Sequence, residues 1–152
     1  MIRFLCLIVL TLAFAGSAAA QNVAADAGDE PLRWTIAIHG GAGVIERGQL
    51  TPERDAEYRA ALTAAIEAGS EVLRNGGSSL DAIQASIELM EDNPLFNAGR
   101  GAVFTAEGTN SLDAAVMDGE TLSAGAVAGV SRTRHPIALA RAVMEQSGHV
   151  ML

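Results

Sequence analysis

The middle of the chain carries two runs of apolar residues spaced three or four positions apart, the spacing of one face of an amphipathic helix. The first predicted helix begins at Thr51-Pro52, a favourable N-cap followed by a proline suited to the first helical position, and ends at Asn75-Gly76-Gly77. The second begins after Ser78 or Ser79 and ends before Pro94. The apolar faces expected to point into the core are Tyr58, Leu62, Ile66, Gly69 and Leu73 in the first helix, and Leu80, Ile83, Ile87 and Met90 in the second.

Runs typical of β-strands flank this helical pair. Residues 34–38 are predicted to form a short strand that leads into a glycine-rich loop at 39–43. Residues 112–117 are predicted to form a second strand, followed by a turn at Asp118-Gly119 and a return strand over 122–130. The alanine and glycine content of the return strand indicates that another element packs closely on at least one of its faces.

The end of the chain predicts one more helix and the start of a strand. The helix begins at Pro136, places Ile137, Ala140, Val143 and Met144 on one face, and ends at Gly148. Residues 150–152 then have the pattern of a strand that is just beginning, and residues 93–110 are a glycine-rich loop. The order β-α-α-β-β-α-(β) predicts an α+β fold, because a doubly wound parallel sheet would alternate strands and helices more regularly.

Residues 1–20 have the three parts of a secretory signal peptide. Arg3 gives a short positive start, an apolar run of about a dozen residues follows, and Ala18-Ala19-Ala20 supplies small residues at the predicted cleavage site. The apolar run is too short to cross a bilayer core of roughly 30 Å. We therefore expect an exported protein, periplasmic or secreted, without membrane association after cleavage. A buried N-terminal helix or an anchor is the alternative. Residues 21–33 are predicted to be a flexible linker, followed by one domain over 34–152.

Composition and charge exclude several classes of protein. Hydrophobic residues make up 49% of the 152 positions, which excludes a disordered acidic tail. All 10 basic residues are arginines, and against 18 acidic residues they leave a net charge of −8, which disfavours a nucleic-acid partner. Cys6 is the only cysteine and lies within the predicted signal peptide, so the chain forms no internal disulfide.

The chemistry of single residues leaves the function open. The glycine-rich loop at 39–43 is compatible with a phosphate cradle, with part of an oxyanion hole, or with a simple turn. The chain has no lysine for a phosphate-binding loop and no Gly-x-Ser-x-Gly elbow. Its three histidines lack the spacing of a zinc site. The acidic pair Glu91-Asp92 lies at a predicted helix C-terminus, which is unfavourable for anions unless an ion or solvent compensates.

Linked motifs carry a resemblance to one enzyme family. The segments are WTIAIHGGAG at 34–43, NPLFNAGRGAVF at 93–104, and LDAAVMDG at 112–119 followed by AGAVAGV at 124–130. In this order and spacing they resemble the plant-type L-asparaginase/isoaspartyl peptidase family, the asparaginase 2 type of N-terminal-nucleophile hydrolases. The resemblance implies an αββα sandwich, present only in part because residues 34–152 resemble the N-terminal part of the α subunit.

The resemblance implies a hydrolase whose nucleophile this chain lacks. Family precursors cleave themselves, and the new N-terminal threonine of the β subunit attacks the side-chain amide of L-asparagine or the isopeptide bond of β-aspartyl dipeptides, with its own α-amine as base. Thr121 has no such amine, so we expect the chain alone to be inactive. The family also implies a β subunit as partner, an (αβ)₂ assembly, small-molecule substrates and no cofactor for catalysis.

The resemblance also implies supporting roles for two loops. The segment 90–100 is similar to the family's sodium loop, in which main-chain carbonyls of Met90, Glu91, Asn93, Phe96, Ala98 and Arg100 would hold a structural Na⁺. Asn97 resembles an asparagine near the nucleophile that helps to orient it. The active-site support expected from the glycine-rich loop comes from His39, Gly40, Gly41 and Gly43. A purely structural role for each of these residues is the alternative.

Two other functions stay open at this level. A glycosylasparaginase-type amidase of the same superfamily differs in sequence that lies beyond this chain. A stand-alone, non-catalytic binding module would require the segment to be soluble and monomeric by itself. We expect the opposite, because part of a sandwich exposes strand edges and apolar helix faces.

Overall fold

The computed structural model describes residues 34–41 and 50–152, all of them within one unit, Leu32–Leu152. These residues form three α-helices, a short 3₁₀ helix and two strands. In chain order the elements are α1 (Pro52–Arg74), α2 (Ser79–Glu91), the 3₁₀ helix (Gly99–Gly101), β1 (Leu112–Met117), β2 (Ala124–Val130) and α3 (Pro136–Gln146). Within the described ranges, no helix combines the length and hydrophobicity needed to cross a bilayer.

The predicted ends of α1 and α2 are confirmed. The Thr51 side chain accepts a hydrogen bond from the Arg54 N–H at 3.2 Å at the start of α1. Ser78 and Asp81 form a reciprocal capping box at the start of α2, which selects Ser78 as the cap. Each cap satisfies backbone N–H groups that a helix start otherwise leaves without partners.

Small residues bring α1 and α2 together, and one of them, Gly69, belongs to the predicted stripe of α1. The buried positions are Ala65 and Gly69 in α1, and Ala82 and Ser86 on the facing side of α2. A Cβ on Gly69 would lie 2.9 Å from the Ala82 carbonyl oxygen, so the two backbones approach at a distance that only glycine permits. The predicted stripe of α2 is divided between two environments, because Leu80 and Ile87 pack on the core formed with α3 while Ile83 is exposed.

The strands form an antiparallel hairpin with a longer loop than predicted. Met117 pairs with Ala124, and the Asp118 N–H bonds to the Ser123 carbonyl at 2.9 Å, which leaves a loop over 118–123. The return strand therefore begins at Ala124 and not at Leu122. Leu122 has φ 61°, a left-handed conformation that a strand cannot contain.

The core lies between the hairpin and the helices. It consists of buried apolar residues from both strands and from α3: Val116, Val127, Ile137, Ala140 and Val143. A Cβ on Gly125 would lie 2.5 Å from the Met144 backbone nitrogen, so α3 rests directly on the β2 backbone. The close packing predicted from the small residues of the return strand is confirmed. Residues 150–152 continue the sheet, because Ala126 N–H donates to Val150 O at 2.7 Å and Ala128 N–H to Leu152 O at 3.1 Å, in parallel orientation.

The predicted strand at 34–38 is wrong for the described residues, which contain no ladder partner for it. Alternate side chains of this segment, Trp34, Ile36 and Ile38, are half-buried. Ile36 reaches α1, where its Cδ1 lies 2.6 Å from the position of a Cβ on Gly69. The alternating pattern thus reflects packing on helices, and β-propensity by itself supplies no neighbouring strand. The described elements have the α+β character that was predicted. The αββα sandwich was expected only in part, and three helices with a two-stranded sheet are consistent with such a part.

Candidate functional site

The glycine-rich loop meets the 90–100 loop at Gly40. A Cβ on Gly40 would lie 2.9 Å from Leu62 Cδ2 and 3.4 Å from Phe96 Cε1. Phe96 is itself buried, and its ring meets that of Tyr58 edge-on with centroids 6.3 Å apart. Two sequence motifs more than fifty residues apart are therefore in contact, over α1, and we call this contact the Gly40–Phe96 junction.

A small apolar cavity adjoins this junction. It has a volume of about 170 Å³ and is lined by Ile36, Ala37, Ile38 and His39 on one side and by Ile83, Ser86, Ile87 and Met90 of α2 on the other. His39 and Met90, one residue from each predicted motif, thus line the same space. The Ser86 Oγ is buried and has no hydrogen-bond partner among the described residues.

The glycine-rich loop is described only as far as Gly41. His39 is exposed, and its Nδ1 accepts a hydrogen bond from the Gly41 N–H at 3.2 Å. Gly41 has φ +124°, which favours glycine at this position. Gly43, the remaining residue predicted for this loop, lies outside the described residues.

The 90–100 loop folds back onto the C-terminus of α2. Asn93 starts the turn, because its Oδ1 accepts from the Leu95 N–H at 3.0 Å and its carbonyl accepts from the Phe96 N–H at 3.2 Å. Gly99 has φ 49°, and a Cβ there would lie 2.8 Å from Glu91 Cβ. Glycine at position 99 therefore allows the loop to lie directly on the last turn of the helix.

The six carbonyl groups predicted as sodium ligands differ in whether they accept hydrogen bonds. The carbonyls of Met90, Asn93 and Ala98 each accept a backbone N–H. In the part of the chain that the structure describes, the carbonyls of Glu91, Phe96 and Arg100 accept no backbone or side-chain hydrogen bond. Carbonyl oxygens are ligands that hard cations prefer, and those at a helix C-terminus carry partial negative charge. No group of three or more His, Cys, Asp or Glu side chains in the described ranges is placed to hold a metal ion.

The Glu91 side chain has a structural role that the sequence reasoning missed. It is 3% exposed, its Oε1 accepts from the Ile137 N–H at 3.0 Å, and its Oε2 lies 3.3 Å from His135 Nδ1. Burial raises the pKa of Glu91, while the bonds from Ile137 and His135 act in the opposite direction. The carboxyl group of Glu91 therefore caps α3 and joins it to α2.

The compensation expected for Glu91-Asp92 comes from protein groups. The positive N-terminus of α3 faces Glu91, and Arg134 forms two hydrogen bonds of 2.7 Å to Asp92. The Arg134 guanidinium holds the pKa of Asp92 below its usual value. One sequence signal pointed to this arrangement: the helix at Pro136 starts after His135, not after a residue that caps well, and so requires an acceptor from elsewhere.

Asn97 is exposed and closes the loop that follows it. Its Oδ1 accepts a hydrogen bond from the Val103 N–H at 2.9 Å. Asn110 reinforces the same loop, because its Nδ2 donates to the carbonyls of Ala102 at 2.8 Å and Val103 at 3.2 Å. Asn97 thus has a fixed oxygen, while its amide nitrogen donates to no group within the described ranges.

Thr121 is engaged in the hairpin loop. Its hydroxyl donates to Asp118 Oδ2 at 2.7 Å and accepts from the Ser123 N–H at 3.2 Å. Both bonds help to define the loop over 118–123. The hydroxyl, including its bond to the Asp118 carboxylate, therefore stabilises a turn.

Comparison with known proteins identifies the family. The sequence model of the family described as asparaginase matches residues 32–152, and the chain belongs to this family. Over 117 residues, 77% of this chain, it is 55% identical to the isoaspartyl peptidase of Salmonella typhimurium and 56% identical to that of Escherichia coli. Over the same length it is 46% identical to the plant-type L-asparaginase of Pyrococcus abyssi.

These comparisons confirm the family inferred from the linked motifs. The names of the relatives describe hydrolases of amide or isopeptide bonds, and membership of the family supports the N-terminal-nucleophile hydrolase fold. The aligned region covers 37%, 36% and 37% of the three relatives, so the chain spans little more than a third of their length.

Proposed function

We propose that this chain forms the N-terminal, α-subunit part of an enzyme that hydrolyses L-asparagine and β-aspartyl dipeptides. The observation that carries the proposal is the 55% and 56% identity over 117 residues to two proteins named isoaspartyl peptidase. The Gly40–Phe96 junction supports it, because two of the motifs on which the resemblance rests lie against each other.

The nucleophile is proposed to come from sequence beyond residue 152. An N-terminal threonine would attack the side-chain carbonyl carbon of the substrate, with its own α-amine taking the hydroxyl proton. The amide nitrogen would leave with a proton, and water would then hydrolyse the acyl-threonine ester. Thr121 fits this role poorly, since it lies inside a hairpin loop and lacks a free amine. On this proposal the chain alone is inactive, and the described residues shape and support the site.

The test uses a chimera of the Escherichia coli isoaspartyl peptidase in which residues 34–152 of this chain replace the aligned segment. The proposal predicts that the chimera cleaves itself and releases aspartate from a β-aspartyl dipeptide, while the chain alone releases none. A folded chimera that hydrolyses no β-aspartyl dipeptide would overturn the proposal. Release of ammonia from asparagine by the chain alone, lost in Thr121→Ala, would overturn the location of the nucleophile.

A structural Na⁺ in the 90–100 loop is the second part of the proposal. The carbonyls of Glu91, Phe96 and Arg100, which accept no hydrogen bond from the described residues, fit a cation that takes only oxygen ligands. Bound Na⁺ would neutralise the partial charge at the C-terminus of α2 and stiffen the loop beneath the Gly40–Phe96 junction. We expect a higher melting temperature of the chain in sodium chloride than in choline chloride at equal ionic strength. Equal melting temperatures in the two salts would contradict the sodium site.

Export and assembly complete the proposal. Residues 1–20 are proposed to direct the protein to the periplasm or the medium, and the mature enzyme is proposed to form an (αβ)₂ assembly with its β subunit. A fusion of residues 1–33 to a reporter that is active only outside the cytoplasm should be active, and a fusion of residues 21–33 alone should not. The purified chimera should elute at the mass of two αβ pairs. An inactive fusion of residues 1–33 would contradict export. Elution at the mass of a single αβ pair would contradict the (αβ)₂ assembly.

A further inference from the structure

A second cleft is lined by neither residue of the Gly40–Phe96 junction. Of the proposed sodium ligands only Arg100 lines it, and the sodium proposal uses the carbonyl of Arg100, not its guanidinium. The cleft has a volume of about 370 Å³ and lies between the 3₁₀ helix and the segment 131–134. Neither Asn97 nor any described residue of the glycine-rich loop lines it. Leu112, which is 8% exposed, contributes an apolar wall. Apart from Gly99, the other lining residues carry polar or charged side chains.

Two guanidinium groups line this cleft. Arg134 gives its Nε and Nη2 to Asp92, each at 2.7 Å, which holds the side chain in place and leaves Nη1 without a described partner. Arg100 forms no ion pair with any carboxylate in the described ranges. Together with Asp92 the two arginines give the cleft a formal charge of +1, in a chain whose net charge is −8.

Two hydroxyl groups lie in the same cleft as the guanidinium groups. Ser131 and Thr133 line the cleft, and neither side chain forms a hydrogen bond with another described group. Two unengaged hydroxyl donors together with guanidinium N–H groups form a set suited to an anion with several acceptor oxygens. A cation would meet two positive charges there, and a large apolar ligand would leave these polar groups unsatisfied.

We propose that this cleft binds a small oxyanion, a carboxylate or a phosphate, between Arg100 and Arg134. The planar fork of Arg100 matches two oxygens of such a group, and Nη1 of Arg134 is left to donate to it. Asp92 fixes Arg134 before the ligand arrives. Asp92 also repels the anion, so we expect modest affinity. The site is independent of the proposed hydrolysis, because no group assigned to that reaction lines it.

Isothermal titration calorimetry of the full chain with inorganic phosphate and, separately, with succinate tests this proposal at constant ionic strength. Arg100→Gln should weaken binding about tenfold, the typical effect of losing one charge-assisted hydrogen-bonding group. Arg132→Gln is the matched control, because Arg132 is exposed, has the same charge, belongs to the same segment as Arg134 and does not line the cleft. This control should change affinity less than twofold.

Thr133→Val provides a second variant that keeps the charge. It should weaken binding about threefold, because a neutral hydrogen bond contributes less than a charged one. Tighter binding of phosphate than of succinate would identify a phosphate group as the preferred source of the oxyanion, and the reverse would identify a carboxylate. Absence of saturable binding of both anions, or equal weakening by Arg100→Gln and Arg132→Gln, would overturn the site.

Discussion

At the scale of single residues, Glu91 shows how one side chain joins two helices. From the sequence we expected its main-chain carbonyl to bind a cation and its carboxylate to be unfavourable at the C-terminus of a helix. The structure places that carboxylate at the start of α3, where it accepts the Ile137 N–H. This use could not be predicted locally, because Glu91 and Ile137 are 46 positions apart and only the packed helices bring them together.

Glu91→Ala should destabilise the chain by about 1–3 kcal/mol, since it leaves a buried N–H of α3 without its acceptor. Urea unfolding followed by circular dichroism measures this change. Glu67→Ala is the control, because Glu67 is an exposed residue of α1 and should shift the free energy of unfolding by less than about 0.5 kcal/mol. Equal effects of the two substitutions would show that the cap contributes no stability.

Asp81 gives a prediction for the dependence of stability on pH. The Ser78 side chain and then Arg141 lower the pKa of Asp81, so the ionised carboxylate stabilises the folded chain above the pKa of the unfolded state, about 4. Asp81→Asn should cost about 1 kcal/mol at pH 7, as is typical of a helix cap on a half-exposed side chain.

The cost of Asp81→Asn should diminish as the pH falls below about 4 toward the lowered pKa of the folded state, because the wild-type carboxylate then becomes protonated too. Urea unfolding of both proteins across this pH range is the measurement. Glu107→Gln, at an exposed position, should show no such trend. A cost that stays constant with pH would contradict the role of the charge.

At the scale of elements, signals in the local sequence predicted the helices, whose hydrogen bonds join residues close together in the chain. The Thr51 and Ser78 caps, the prolines and the helical periodicity predicted α1, α2 and α3 well. Among the described residues the segment 34–38 forms no strand, because a strand requires a hydrogen-bonded neighbour that its own sequence cannot supply. The helix–helix contact was also missed, since Ala82 and Ser86 carry little hydrophobic signal and matter through their small size.

Close backbone approach at β2 gives a prediction at this scale. Gly125→Val should destabilise the chain by about 1–3 kcal/mol or prevent folding, because the added side chain would overlap the α3 backbone. Gly148→Val is the control, since no atom lies within 4 Å of its added Cβ. Thermal unfolding compares the two variants. Equal melting temperatures would contradict direct contact between α3 and the β2 backbone.

At the scale of the whole molecule, the described residues combine a hairpin, the helices that cover it and a junction between two family motifs. Sequence alone was sufficient to infer the family, because the motifs occur in a fixed order along the chain. The sequence could not show that Gly40 lies against Phe96. The two motifs are separated along the chain by α1, and only the folded structure brings them together on it. The central proposal is that this junction supports the active site of an isoaspartyl peptidase.

The most direct test of that proposal measures kcat/KM for a β-aspartyl dipeptide in the chimera containing residues 34–152. Gly40→Val should lower kcat/KM at least tenfold, because the added side chain would press on Leu62 and Phe96 and displace the loop. Gly119→Val, where no atom lies within 4 Å of the added Cβ, should leave kcat/KM within twofold of the parent chimera. An active chimera in which Gly40→Val and Gly119→Val have the same kcat/KM would contradict the account.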